Sequence, residues 1–152
     1  MLSLAKRFFR YSFANQILLI WLALTIRRID HSLNVNGLAK TRIKMAAWRP
    51  GKFLYIQLEV RELSKLTNTA CRYSIGMDKS CLRRSMLLWW LLQNQDVQCD
   101  LCMGLEKSGT SLTGHAWLEL DGIVINEAKN IRERFACVDN ETFWKIQQNS
   151  AQ

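Results

Sequence analysis

Two stretches of this chain carry side chains able to do nucleophilic chemistry. "DKSCLRRSMLLWWLLQ", residues 78–93, reads as a helix with Cys81 in its first turn. "SGTSLTGHAWLELDGIVINE", residues 108–127, places His115 at the head of an alternating segment. A thiol at a helix start sits where unpaired amides and the helix dipole favour thiolate, which makes it a better nucleophile. Arg83 and Arg84 add positive charge nearby. A thiolate needs a base, and the only histidines are His31 and His115. Imidazole exchanges a proton near neutral pH, so Cys81 with His115 would make an acyl-transfer dyad. Each residue alone has a plainer reading, since most buried cysteines are inert and a lone strand histidine is usually a satisfied structural group. The conjunction is what points to chemistry.

The elements that must position them can be read from periodicity. Asp78 or Ser80 can cap the helix by accepting a bond from a first-turn amide. Leu82, Met86, Trp89, Trp90 and Gln93 mark one side of it, and Cys81, Ser85, Leu88 and Leu92 the adjacent side. After its first turn this helix is apolar nearly all round, which predicts a central element. "HAWLEL" alternates as a strand, with His115, Trp117 and Glu119 on one face. Asp121-Gly122 is a hairpin signal and "IVIN" returns as the second strand. The turn decides which residue faces the histidine. A two-residue turn pairs Leu120 with Ile123 and puts Asn126 on the His115 face. A three-residue turn with Gly122 left-handed pairs Glu119 with Ile123 and puts Glu127 opposite His115. A carboxylate would hold the imidazole tautomer and stabilise the imidazolium, whereas an amide can do the first of these.

The remaining residues bound the class. The 152-residue chain is 49% hydrophobic with one proline and seven glycines, a globular composition of single-domain size. Its net charge of +8 fits nucleic acid, an anionic membrane surface or an acidic partner equally well. Five cysteines at irregular spacing point to reduced thiols and a cytoplasmic setting. Cys99 and Cys102 form a CxxC, but in an alternating "VQCDLCMGL" strand they would face opposite sides, so no metal site is expected there. Neither GxGxxG nor GxxxxGK occurs, which argues against nucleotide hydrolysis, and no cofactor is expected.

Lys6, Arg7 and Arg10 precede the apolar run "ILLIWLALTI", residues 17–26, and Arg27 and Arg28 follow it. No small-residue cleavage site closes the run, and it is about half the ~20 residues that span a bilayer. A helix docked on the core is the favoured reading; an interfacial helix touching a membrane or a partner through residues 6–28 is the alternative. Pro50-Gly51 is the sole Pro-Gly pair. It divides a basic and apolar helical region, 1–50, from a main body, 51–152, within a single domain. In "FLYIQLEVRELSKLTNTA", Leu54, Leu58, Leu63 and Leu66 favour a helix, although "FLYIQLEV" would also serve as a strand.

At "CLRRSMLLWWLLQ", "CDLCMGL" and "GHAWLELDGIVINE", in that order, the chain resembles the transglutaminase-like cysteine proteases that mature lasso peptides, bacterial leader peptidases acting on ribosomally made precursors. The likeness covers residues 78–128. It implies an α+β, papain/transglutaminase-like core, with N-terminal helices and a Cys-bearing helix packed on an antiparallel sheet that carries the His and the acid. It also implies Cys81 as nucleophile, His115 as general base and Glu127 as the acid, a position where that family usually has Asp. Both the family pattern and the three-residue turn prefer Glu127 over Asn126. Glu119 and Trp117 match the pattern in supporting roles, with Trp117 as packing.

The implied reaction is acyl-enzyme hydrolysis at the leader–core junction, with the Cys81 amide as one oxyanion donor. The implied partners are the precursor peptide, a separate small leader-recognition protein and the macrolactam-forming synthetase, with no nucleic acid. A chain of this size matches the family's short members, which lack a leader-recognition domain of their own. The competing reading is a basic module binding nucleic acid or membrane, with Cys81 and His115 structural; it requires exposed aromatics interleaved with basic residues. A crosslinking transglutaminase using the same triad ranks third.

Overall fold

The computed structural model describes residues 13–49, 58–74 and 81–138. Helices come first: α1 (Phe13–Ala47), α2 (Val60–Tyr73) and α3 (Cys81–Gln93). Strands β1 (Asp100–Ser108), β2 (Ser111–Leu120) and β3 (Ile123–Val124) follow, then a single-turn helix α4 (Ile131–Arg134) and β4 (Ala136–Val138). The strands form one antiparallel sheet in the order β3-β2-β1-β4. The fold is therefore α+β, with helices laid on an antiparallel sheet.

Helix α3 is central, as its all-round apolarity predicts. Ser85 through Leu92 are all buried. Leu19, Leu22, Ile26 and Ile29 of α1, Leu63 and Ala70 of α2, and Leu101, Met103, Ala116 and Leu118 of the sheet join it in one core. Each fully buried Leu or Ile contributes about 1.5–3 kcal/mol, so the α1 run is held by several times that amount. The run thus docks on the core. No helix among the described residues is long and apolar enough to cross a membrane. At Gly37 (φ 71°, ψ 178°) α1 breaks into two arms, a backbone that residues with a Cβ avoid. A Ser32 Oγ to Thr41 Oγ1 hydrogen bond of 3.0 Å clasps the arms across the break.

The segment expected as helix over 53–70 becomes one only from Val60; Leu58 and Glu59 precede it unwound. Residues 53–57, the Pro50-Gly51 boundary and the Asp78 and Ser80 caps lie outside the described residues. The opposite face of the sheet holds a smaller cluster of Cys102, Trp117, Ile131 and Phe135. Cys99 packs with the helix-side core. The two CxxC thiols are thus parted by the sheet, as the strand period requires.

Candidate active site

The site grows from the polar residues that interrupt the apolar elements. Ser85 lies one turn after Cys81, on the same face of α3, and is fully buried. Its hydroxyl donates to the Ala116 carbonyl oxygen (3.1 Å) and accepts from Asn126 Nδ2 (2.9 Å). Asn126 Oδ1 in turn accepts the Leu118 amide (2.8 Å). This chain of bonds pins helix, strand and post-turn segment together, because leaving any of these buried groups unpaired would cost about 1–3 kcal/mol. It also sets the helix in register against the strand. The N-terminal end of α3 therefore lies against Ala116, the residue after His115. Cys81, half-buried against the core, stands at that end.

The Asp121-Gly122 turn has two residues, with φ 50° and 76°, and pairs Leu120 with Ile123. The three-residue turn that favoured Glu127 is therefore not the one formed; two successive left-handed residues already match the twist of the hairpin. Yet Glu127 reaches the histidine. Strand β3 ends at Val124, only the Ile125 amide still bonds back to the Leu118 carbonyl oxygen (3.0 Å), and the chain then bends. Strict alternation stops there. Asn126 goes into the Ser85 network, and Glu127 Oε1 comes to 3.3 Å from His115 Nε2. That separation is an ion-pair distance without hydrogen-bond alignment.

The imidazole is held by rings as well. Phe135 stacks on it at 4.9 Å and 27°, and Trp117 lies at 6.5 Å. Gly104 pairs with His115 across β1, and a Cβ there would come within 2.8 Å of Phe135 Cβ and 2.9 Å of Trp117 Cη2. Burial, then the positive charges of Arg84 and Arg134, hold His115 below its usual pKa. It is therefore neutral at physiological pH and able to accept a proton.

The two arginines after Cys81 have their own partners. Arg83 pairs with Asp30 of α1, and Arg84 pairs with Glu127, so the acid is shared between a guanidinium and the imidazole. The Arg84 contact was not foreseen from sequence, and neither was the Phe135 stack. A serine and an asparagine on buried faces were the signal for the Ser85–Asn126 network, since each must find a partner. Glu119 does not join this corner. Its buried carboxylate accepts from Trp117 Nε1 (2.7 Å) and Arg132 Nε (2.7 Å), and Arg132's hydrogen bond chiefly holds its pKa low. Trp117 is fully buried packing that also orients Glu119. Among the described residues no cluster of three or more His, Cys, Asp or Glu could hold a metal ion.

The half-buried thiol at the start of α3 and the neutral imidazole of β2, with a carboxylate beside it, are the kinds of group that acyl transfer through sulfur uses. No curated protein and no solved structure shows significant similarity to the chain. A family model does: that of the transglutaminase-like superfamily matches residues 23–139, from within α1 to just past β4. The chain belongs to the transglutaminase-like superfamily.

Proposed function

We propose that this protein is a cysteine endopeptidase that removes the leader peptide from a lasso peptide precursor. The observation that carries the reading is the 3.3 Å approach of Glu127 to His115, on a strand stitched to the helix that Cys81 begins. With Nε2 turned to Glu127, Nδ1 is the nitrogen left for the thiol. His115 takes the Cys81 thiol proton, and the resulting thiolate attacks the carbonyl carbon at the leader–core junction, forming a C–S bond. The C–N bond then breaks as His115 gives its proton to the departing amine. Water, deprotonated by His115, adds to the thioester, the C–S bond breaks and the thiol is restored. The Cys81 amide serves as an oxyanion donor.

A peptide substrate also suits the sheet. Beyond β3, Ser111–Gly114 of β2 are exposed, and no described strand pairs with their outer edge. Leu118 bonds outward, so by antiparallel alternation the amides and carbonyls of Gly114 and Leu112 also face outward. An extended chain can pair there. The rival binding module finds little support, because Trp89, Trp90 and Trp117 are buried.

Two measurements test this. Iodoacetamide labelling across pH, read cysteine by cysteine by mass spectrometry, should show Cys81 reacting below pH ~8.5, the ordinary thiol value, and losing that advantage in His115→Ala. Incubation with a lasso precursor peptide and its leader-binding partner protein should then release leader and core with the mass of one added water. A Cys81 as inert as Cys99 sinks the dyad. Amine incorporation in place of water would reassign the enzyme as a crosslinking transglutaminase.

A further inference from the structure

Helix α1 is apolar on two sides, but only one is covered. Leu19, Leu22, Ile26 and Ile29 enter the core. On the opposite side Phe13 (76% exposed), Ile17 (42%), Ile20 (52%) and Leu24 (61%) stand in solvent. Their 4-3-4 spacing makes one continuous stripe along the helix. At its C-terminal end the same line reaches Arg27, Arg28 and His31, all exposed. Contiguous exposed apolar surface of this kind is a mark of interaction surfaces.

Charge selects the occupant. No Asp or Glu precedes Asp30 in the sequence, while Lys6, Arg7, Arg10, Arg27 and Arg28 all do. Asp30 itself is paired with Arg83. The segment is thus purely cationic at both ends of an apolar run. A second copy is a poor match: parallel pairing sets Arg27 beside Arg27, and antiparallel pairing sets it toward the other copy's basic start. A lipid surface with anionic headgroups satisfies both features, because acyl chains accept the stripe while headgroups meet the flanking cations.

We propose that the outer face of α1 is a peripheral docking surface for an anionic membrane, with the helix lying in the interface plane and the catalytic end of α3 free. This does not rest on the peptidase reading. The test is flotation of the full chain with vesicles of equimolar phosphatidylglycerol and phosphatidylcholine, against vesicles of phosphatidylcholine alone. Binding to the anionic vesicles only, weakening with salt, is the expected result. Ile20→Glu/Leu24→Glu should lower that binding on the order of a hundredfold or more. Arg27→Gln should lower it by roughly fivefold. Both variants change exposed positions, and an unchanged circular dichroism melt checks that they fold. No flotation, or flotation that survives Ile20→Glu/Leu24→Glu in a folded protein, overturns the proposal. So does a concentration-dependent dimer in sedimentation equilibrium that this double variant abolishes without any vesicle binding, which would assign the stripe to self-pairing.

Discussion

Two carboxylates stand at the two ends of the hairpin that carries the histidine, and the protein treats them oppositely. Glu119 is buried and satisfied, taking hydrogen bonds from Trp117 and from Arg132 on α4. Glu127 is half-buried and shared between Arg84 and His115, without an aligned hydrogen bond to the imidazole. A carboxylate whose partners are fixed is held in one state and stabilises the fold. One with spare acceptor capacity beside a titratable ring can respond when that ring takes up a proton. Sequence proximity to His115 favours Glu119, two residues away; the bend after Val124 gives the position to Glu127 instead.

The largest effect should fall on the ring between them. On the proposed precursor substrate, His115→Ala should lower kcat/KM by about 10²–10⁴-fold, the range for loss of a general base, while leaving the urea midpoint almost unchanged. A variant that unfolds more readily but still turns over would make His115 a packing residue of the Phe135 stack.

The two acids should then separate. Glu127→Gln should reduce kcat/KM on the order of tenfold to a hundredfold with the smaller loss of stability, because the amide still orients the ring but no longer offsets its charge. Glu119→Gln should do the reverse, costing about 1–3 kcal/mol in urea unfolding through the weakened bonds to Trp117 and Arg132, with activity largely kept. Acid unfolding sharpens this. Glu119's carboxyl is held below its usual 4.5, chiefly by Arg132, so the folded state binds that proton less readily than the unfolded chain. Its contribution is complete above pH 4.5 and lost as pH falls through the folded value. Wild type should therefore lose stability on acidification below pH 4.5 more steeply than Glu119→Gln. Equal slopes would mean that Arg132 does not hold the carboxylate in solution.

A smaller, joint effect is expected at Gly104, where the ring stack and the Glu119 corner meet through Trp117. Gly104→Ala places a methyl within 3.0 Å of Phe135 Cβ, Trp117 Cη2 and the Ala136 carbonyl oxygen. Overpacking of this kind costs about 1–3 kcal/mol. Urea unfolding should show that loss, accompanied by a drop in kcat/KM because the displaced rings are those beside His115. Unchanged turnover would separate the stack from the imidazole's placement.

The helix around Cys81 and the hairpin around His115 were legible because their periods are strong and their punctuation, Asp121-Gly122, is strong too. The α1 run was legible as too short to span a bilayer, because its apolar stretch has ten residues. What periodicity could not give was the point at which it ends. A strand of two residues, Ile123 and Val124, leaves no alternation to extrapolate, so the register argument for Glu127 picked the wrong turn while the acid still reached the histidine. Arg84's turn toward Glu127 and the approach of Phe135 are tertiary facts, set by how α3 and the chain after α4 lie on the sheet. No local pattern encodes them. The buried Ser85 and Asn126 were the nearest to readable, since polar side chains amid apolar ones announce a partner without naming it.

The finest discrimination concerns how His115 feels the cations around Glu127. Burial lowers its pKa first, and Arg84 and Arg134 lower it further. In Cys81→Ala, where no thiolate perturbs the ring, NMR titration of the two histidines should put the His115 midpoint below the usual 6.5. Arg134 is mostly exposed, so Arg134→Gln should raise that midpoint only slightly, and added salt should blunt the difference. Arg84→Gln should raise it more, for two reasons with the same sign. It removes the positive charge with the larger effect on the ring, and it leaves Glu127 with the imidazole as its remaining ionic partner, which favours the protonated ring. A larger response to Arg134 than to Arg84 would mean that Glu127 belongs to the arginine and not to the histidine. The carboxylate that separates this corner from the Glu119 corner would then be structural in both.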